Sequence, residues 1–255
     1  MARYGIRSKV VWGVPVPRLR SLARELAPDH SLAVRLFRTG VHDARALAVM
    51  VEDPARLTAA QMERWVAQFD SWAICDGACQ ELFRKTPLAH AKILEWAERP
   101  EEFTRRAAFS LIAQLAVHDR RAPPSQFRDY LRLVDRAAED PRNYVRKGVS
   151  WALRAIGKRE PGLHQAAMAL ARRLKARPSP SARWVGAEAL RELRRTSIRS
   201  VRGESSPAGR RAARRSASNP LRRRSPDRVP ATRMRSRARP RPEVPTELGG
   251  HWGTS

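Results

Sequence analysis

Apolar residues recur along most of the chain with the period of an α-helix. In the stretch from Phe69 to Phe83, for example, Ile74, Ala78 and Leu82 stand four residues apart and share one face of a helix. Similar stripes continue as far as residue 195, whereas alternating runs of β-branched residues, which are typical of strands, are few. The pattern therefore predicts an all-α fold.

Prolines, glycines and capping residues divide this pattern into about ten helices. Ser31 is predicted to cap a helix that ends at Gly40, and Thr58 is predicted to cap the helix that contains Met62 and Phe69. The helices fall mostly into adjacent pairs at intervals of roughly forty residues, a spacing typical of helical-repeat solenoids. We therefore predict one α-solenoid domain over residues 1–195. Most other boundaries are predicted at prolines, namely Pro15, Pro17, Pro54, Pro87, Pro100, Pro123, Pro141, Pro161 and Pro180.

The last segment, residues 196–255, has a different composition. It is rich in Arg, Ser, Pro and Gly and has hardly any periodicity, which predicts a disordered tail. Its fifteen arginines and four acidic residues give it +11 of the chain's net charge of +26. The other +15 belongs to residues 1–195, and a folded body this basic points to a polyanionic partner such as nucleic acid. The tail either follows phosphates itself or is a poorly constrained extension of the reading frame.

Other functional classes find little support in the sequence. Cys75 and Cys79 are one helical turn apart, and we expect them to be buried free thiols in a reducing cytoplasm rather than a disulfide or a zinc site. The histidines show no metal-ligand spacing, and no glycine-rich phosphate loop is present, so we expect neither a metal nor a cofactor. No apolar run is long enough to span a membrane, and no secretory signal is recognisable.

A second stripe on the helix of residues 69–83 carries an acidic residue. Trp72, Asp76, Cys79 and Phe83 follow one another at helical spacing, so Asp76 lies one turn after Trp72, at the edge of a face expected to be mostly dry. A carboxylate is rarely buried without a partner or a function. The alternative is a surface aspartate one position outside the core.

An aromatic residue surrounded by cations occurs on the helix expected after residue 141. Tyr144, Lys147, Arg154 and Lys158 lie at helical spacing around Trp151, opposite the apolar stripe of that helix. Such a face suits a nucleic acid, because the cations meet phosphates and the ring meets a sugar or a base. The alternative is that Trp151 packs against the neighbouring repeat.

The helix between these two carries Arg106. Its apolar residues Ala108, Leu111, Ile112 and Leu115 point one way, and Arg106 points away from them among small neighbours. We therefore expect its guanidinium to have room to reach a phosphate or a carboxylate.

Three segments together resemble the AlkD-like DNA alkylation repair family, glycosylases built from HEAT-like helical repeats. They are Phe69 to Phe83, Phe103-Thr104-Arg105-Arg106-Ala107-Ala108, and Tyr144 to Lys158, and their order, spacing and residue types agree with the family. The resemblance covers about residues 1–195 and implies a HEAT-like solenoid. The family often has an acidic residue directly after the first tryptophan, where this chain has Ala73, and it usually has another helical pair before Tyr4, so N-terminal helices are expected to be missing here.

The resemblance also implies an activity, namely hydrolysis of the N-glycosidic bond of 3-methyladenine or 7-methylguanine in duplex DNA. These bases carry a positive charge and leave without being protonated, so the enzyme must chiefly stabilise the cationic sugar. Asp76 would do this, Trp72 and Trp151 would face the sugar and the lesion, and Arg106 would hold a phosphate of the lesion strand. The expected DNA-contacting residues are thus Trp72, Arg106, Tyr144, Lys147, Trp151, Arg154 and Lys158. We expect a cytoplasmic monomer that is associated with the nucleoid when it is bound to DNA.

Two alternatives remain open at this point. One is a non-catalytic helical-repeat scaffold that binds nucleic acid or an acidic protein. The other is an inactive member of the family, impaired by Ala73 or by the short N-terminus.

Overall fold

The computed structural model describes Ile6 and residues 8–196. Within these residues the chain forms eleven α-helices and one short 3-10 helix, Phe83–Lys85, which confirms the all-α prediction. The α-helices are α1 (Val16–Leu26), α2 (His30–Arg38), α3 (His42–Val51), α4 (Ala59–Val66), α5 (Trp72–Glu81), α6 (Ala89–Trp96), α7 (Glu102–His118), α8 (Pro124–Ala137), α9 (Asn143–Gly157), α10 (Pro161–Ala176) and α11 (Pro180–Leu193).

The caps of the early helices agree with the predictions in one case and differ in another. Thr58 caps α4 as predicted, because its side chain accepts a hydrogen bond from the Gln61 N–H. The cap of α2 is Asp29 and not Ser31, since the Asp29 carboxylate accepts a hydrogen bond from the Leu32 N–H at 2.9 Å. The prediction failed because both residue types are good caps and stand two positions apart.

The helix that carries Asp76 begins later than its apolar pattern suggested. Ser71 caps α5 and accepts a hydrogen bond from the Ile74 N–H, so Phe69 lies before the helix. Trp72 is the first residue of α5, and Asp76 follows it by one turn.

Alternate helices form one layer in which neighbours run parallel. Between α5 and α7, the Cys75 and Cys79 thiols donate to the Phe103 and Ala107 carbonyl oxygens, and both pairs are 28 residues apart. From the first bond to the second, both the donor and the acceptor move four residues towards the C-terminus of their helices. The two helices therefore run in the same direction. The packing continues from α7 to α9 and from α9 to α11.

The intervening helices α4, α6, α8 and α10 form a second layer with the same periodicity. The partners that join successive helices of this layer are 33 to 42 residues apart, which is close to the predicted repeat. These side-chain hydrogen bonds join Glu63 and Trp96, His90 and Gln126, and Asp135 and Arg177.

The central helix of the described chain is α7. Every residue from 106 to 116 is buried, because α7 packs against α5, α6 and α9. A helix that is apolar or small nearly all round is typical of such a position. This central placement also determines where the Arg106 side chain lies.

None of the helices in the described part of the chain is both long and apolar enough to cross a membrane. By their contacts, residues 1–203 group as one unit and 204–255 as another, and all the described residues belong to the first. The predicted disordered tail, 196–255, lies outside the described residues apart from Thr196.

Candidate active site

Asp76 and Arg106 form an ion pair that connects α5 with α7. Arg106 Nε donates to Asp76 Oδ1 at 3.0 Å, and Arg106 Nη2 donates to Asp76 Oδ2 at 2.6 Å. The third nitrogen, Nη1, donates to the carbonyl oxygen of Tyr144 on α9 at 2.6 Å. The planar guanidinium therefore joins three successive helices of one layer and fixes the plane of the Asp76 carboxylate.

The Arg106 side chain is buried, which corrects the outward position expected from its helix. It is 7% exposed, whereas the side chain of Asp76 is 20% exposed. The reason is that α5 and α9 flank α7 on both sides, and the pattern of α7 alone does not show these neighbours. Of the two partners envisaged for Arg106, a phosphate or a carboxylate, this structure contains the carboxylate.

The charge of Arg106 is maintained by this partner. Burial by itself lowers the pKa of the Arg106 guanidinium, but the Asp76 carboxylate more than offsets this, so the pKa lies above its ordinary value. Arg106 therefore remains a cation at any pH at which the protein is folded.

Trp72 and Asp76 line a cavity of about 360 Å³ between α1, α3 and α5. Much of the remaining lining is apolar and includes Val14, Leu19 and Val49. Trp72 is half-buried there, and Asp76, one turn later, borders the cavity while it is bonded to Arg106. The carboxylate thus has an accessible side next to an aromatic ring.

The predicted aromatic and basic face of α9 is only partly open. Lys147 is exposed, but Tyr144 is half-buried, with its ring centroid 5.4 Å from that of Phe103. Trp151 is also half-buried and packs against the core. The sequence left two positions open for Trp151, one facing a nucleic acid and one packed against the neighbouring repeat. The structure has features of both, since part of the ring contacts neighbouring side chains and part remains exposed. Two helical turns, about 10 Å, separate Trp151 from Tyr144 along α9.

The last two cations of this face are paired with Glu192 of α11, a residue that the sequence reasoning missed. Arg154 Nη1 and Lys158 Nζ each contact one oxygen of the Glu192 carboxylate. Burial raises the pKa of Glu192, but the hydrogen bonds from Lys158 and Arg154 outweigh it, so the pKa is lowered. Glu192 stands 38 residues after Arg154, one repeat along the chain, and this interval is the only signal that pointed to the pair. We expected both cations to be available to DNA, whereas they share one carboxylate here.

A segment before α1 crosses the N-terminal ends of α3 and α5, and it lies before Pro15, where the first helix was predicted to begin. Ile6 forms an isolated antiparallel bridge with Ser71, the cap of α5. Ser8 Oγ donates to Asp70 Oδ1 at 2.8 Å, and the His42 N–H, at the start of α3, donates to the Val10 carbonyl oxygen at 3.0 Å. We call Ile6 together with residues 8–14 the N-terminal strap.

Cys75 and Cys79 are free and fully buried, as predicted. Burial is the main reason that the pKa of the Cys75 thiol is raised well above its ordinary value. A thiol whose pKa is raised is a poor nucleophile, so Cys75 does not add to the reactivity of the site. Both thiols contact backbone carbonyl oxygens of α7.

Comparison with known families connects this site to a class of proteins. The family model described as "DNA alkylation repair enzyme" matches residues 1–193. The chain belongs to this family. The matched region contains both Asp76 and Arg106, together with the α9 face.

One solved structure supports the fold of this member of the DNA alkylation repair enzyme family. A protein described as belonging to "a new family of proteins related to the HEAT-like repeat DNA glycosylases with affinity for branched DNA structures" aligns with a TM-score of 0.64 at 18% identity. The alignment covers 75% of this chain and 88% of that one, and it shows a HEAT-like helical-repeat fold. Two designed armadillo repeat proteins align with TM-scores of 0.32 and 0.34, at 15% and 16% identity, over 69% of this chain and 92% and 76% of theirs. No curated protein matches the chain.

The eight expected site residues fall into two groups in the family member described here. The first is a connected centre in which Asp76 and Arg106 meet the backbone of Tyr144, with Trp72 beside the carboxylate. The second consists of Lys147, Trp151, Arg154 and Lys158, further along α9. An oriented carboxylate in the first group can stabilise a positive charge or position a water molecule, and the cations of the second can meet phosphates.

Proposed function

We propose that the protein is a DNA glycosylase that hydrolyses the N-glycosidic bond of positively charged alkylpurines in duplex DNA. The observation that carries this proposal is the Asp76 carboxylate, which is partly accessible, lies one turn after Trp72 and is held in a fixed plane by Arg106. The basic net charge and the family membership are consistent with a DNA substrate.

The chemistry requires stabilisation of a cationic sugar. The C1′–N bond breaks, its electron pair goes to the purine, and a cationic base thereby leaves as a neutral molecule. The sugar becomes an oxocarbenium ion, which a nearby carboxylate stabilises electrostatically. A water molecule then adds to C1′ and releases a proton, which leaves an abasic site.

Asp76 retains the capacity for this role while it is bonded to Arg106. A carboxylate offers about four lone-pair positions, and the bidentate pair uses two of them. The other two are available to orient a water molecule or to face the sugar. Arg106 is then a positioning residue, because it acts through Asp76 and contacts the backbone of α9.

Trp72 supplies aromatic surface beside this centre, and Trp151 supplies it further along α9. The face of an indole attracts a cation, with a contribution of about 0.5–2 kcal/mol that depends on exposure. Both rings are half-buried, so each combines a fixed orientation with an accessible part. They are proposed to favour the charged lesion over an ordinary base.

A second candidate function is DNA binding without excision. It is favoured by the Asp76–Arg106 pair itself, because the need to neutralise a buried arginine gives Asp76 a structural reason to be present. The structural neighbour described above is a protein with affinity for branched DNA structures, by its description.

Asp76→Asn distinguishes the two candidates. We expect this nearly isosteric change to reduce the release of methylated bases from methylated duplex DNA about a hundredfold or more, because it removes the preorganised charge. It should also lower the free energy of unfolding by about 1–3 kcal/mol, since Arg106 loses a charged acceptor.

The control for stability is Glu192→Gln, which removes a carboxylate from another ion pair of the same layer. If Asp76→Asn lowered stability but released bases at the parent's rate, Asp76 would be structural only. If the parent protein released no base while it bound duplex DNA, the second candidate would replace the first.

A further inference from the structure

Trp12 of the N-terminal strap exposes a large apolar surface to solvent. Its exposed fraction is 68%, the highest among the large apolar side chains in the described part of the chain. Val10 and Val16 on either side are 47% and 49% exposed. An exposed aromatic side chain within such a patch is typical of a surface that binds a partner.

The backbone that carries Trp12 is held in one conformation. The N–H groups of Trp12 and Val14 donate to the two oxygens of the Asp43 carboxylate, each at 2.7 Å, and the N–H of Gly13 donates to the same carboxylate at 3.3 Å. Gly13 has a φ of 77°, in the left-handed region that favours glycine. Asp43 is itself buried at the start of α3, so the strap is attached to the rigid solenoid.

This anchoring places Trp12 next to the candidate active site. Val14 lines the same cavity as Trp72 and Asp76, and Val14 is only two residues, at most about 7 Å of backbone, from Trp12. The strap also pairs with Ser71, the residue directly before Trp72. Trp12 therefore lies on the strap, and the strap pairs with the residue before the helix that carries Trp72 and Asp76.

We propose that Trp12 is a DNA-contacting residue whose indole stacks on a base or a sugar next to the nucleotide that Asp76 engages. The inference rests on the proposed function in so far as it takes duplex DNA as the molecule that lies against Asp76. Aromatic side chains bind nucleic acids by stacking on bases or by inserting between base steps, and a rigid backbone reduces the entropy that such a contact costs.

The charge of the protein favours DNA over another protein as the partner of this surface. The chain carries a net charge of +26, of which residues 1–195 carry +15, and a polyanion is attracted to such a body. An apolar protein surface gains nothing from that charge. A second copy of this chain, which is equally basic, would be repelled.

The test compares Trp12→Ala, Trp12→Gln and Trp12→Phe in the full-length protein. The probe is a DNA duplex with one tetrahydrofuran abasic analogue, and the reference is the same duplex without it. Loss of the ring should weaken binding to the abasic duplex about tenfold, within the range measured for loss of one base–aromatic stack. Binding to the intact duplex should fall less, and Trp12→Phe should restore most of the affinity.

Leu94→Ala is the matched control, because Leu94 is 59% exposed but lies on α6, in the other helical layer. It should leave both affinities unchanged. Thermal unfolding of each variant checks that the strap change has not unfolded the solenoid, and Trp12→Gln keeps the surface polar if alanine perturbs the strap.

Two results would overturn the proposal. One is binding of Trp12→Ala and Trp12→Gln to the abasic duplex with the parent's affinity. The other is a change in oligomeric state by light scattering with unchanged DNA affinity, which would assign the surface to protein contacts. Absence of base release by the parent would refute the excision proposal alone, because the affinity comparison does not depend on catalysis.

Discussion

Replacement of Arg106 by lysine separates two roles for this residue, namely orientation of Asp76 and contact with a DNA phosphate. Lysine retains the positive charge, and it binds phosphates well as a point charge. It cannot, however, reproduce the three hydrogen bonds by which Arg106 holds both oxygens of Asp76 and the Tyr144 carbonyl group. We expect Arg106→Lys to fold and bind DNA but to lose most excision.

The magnitude follows from the bonds that are lost. Lysine can keep one of the three hydrogen bonds and loses the other two. A hydrogen bond to a charged group contributes roughly 1.5–3 kcal/mol, but the contributions of bonds from one guanidinium are not additive. The free energy of unfolding should therefore fall by about 2–3 kcal/mol. For a folded body of this size, the melting temperature should fall by roughly 2–4 °C for each kcal/mol. A carboxylate that moves by about 1 Å from its productive position loses on the order of a hundredfold in rate.

The assay is single-turnover release of methylated bases from methylated duplex DNA, combined with a salt titration of binding to an abasic-analogue duplex. If Arg106 positions Asp76, the rate should fall about a hundredfold for Arg106→Lys, while the dependence of affinity on salt stays the same. Lys147→Met is the positive control for a phosphate contact, because Lys147 is exposed on α9. It should reduce the salt slope by about one.

Two outcomes would refute this reasoning. If Arg106→Lys excised at the parent's rate, the geometry of the pair would be irrelevant to catalysis. If Arg106→Met reduced the salt slope by about one, as for Lys147→Met, the guanidinium would reach a phosphate in the complex after all.

Three further predictions concern the lesion, the α9 face and the tail. Cationic 7-methylguanine and 3-methyladenine should be released efficiently and neutral hypoxanthine barely, because the proposed mechanism does not protonate the leaving base. Efficient release of hypoxanthine in the same assay would contradict the mechanism. Glu192→Gln should free Arg154 and Lys158 and so raise the affinity for duplex DNA. The slope of log affinity against log salt concentration should steepen by up to about 0.9 for each freed cation, whereas an unchanged slope would place both cations away from DNA. Deletion of 196–255 should leave the helical content seen by circular dichroism unchanged and make the salt dependence of DNA affinity shallower, because fifteen arginines are removed. Loss of cooperative unfolding would instead mean that the tail packs on the body.

The helices were predictable because their boundaries are local. Prolines at the starts of α8, α10 and α11 and the Thr58 cap act within one turn of the chain, so each helix end depends on a few residues. The roughly forty-residue spacing then predicted the helical-repeat solenoid, because each pair of helices can bury its apolar face only against the next pair.

The direction of Arg106 was not predictable in the same way. Its helix shows a clear apolar stripe, and Arg106 stands off that stripe. A helix flanked by neighbours on both sides has no solvent face along most of its length, however, and only the tertiary structure places α5 and α9 there. The two partners of the buried Arg106 guanidinium come from the neighbouring repeats. Asp76 lies 30 residues before Arg106, and Tyr144 lies 38 residues after it.

The N-terminal strap was missed for a different reason. Residues 8–14 have no period, so no pattern of hydrophobic and polar positions describes them. Their position is determined by the buried Asp43 carboxylate, which binds three consecutive N–H groups. A glycine flanked by apolar residues, Trp12-Gly13-Val14, was the only local sign of a fixed turn.

The ion pairs at Asp76 and at Glu192 change the electrostatic argument for DNA binding. A bare carboxylate next to a phosphate backbone would be repelled, which makes an isolated Asp76 a poor residue for a DNA-facing surface. Paired with Arg106, it contributes no net charge at a distance, yet it still presents an oriented carboxylate within contact range of the sugar. At Glu192, two cations share one carboxylate and therefore leave a net charge of +1 on that part of α9. The surface thus remains attractive to a polyanion as a whole, while the Asp76 carboxylate acts only at the short distances at which the glycosidic bond would break.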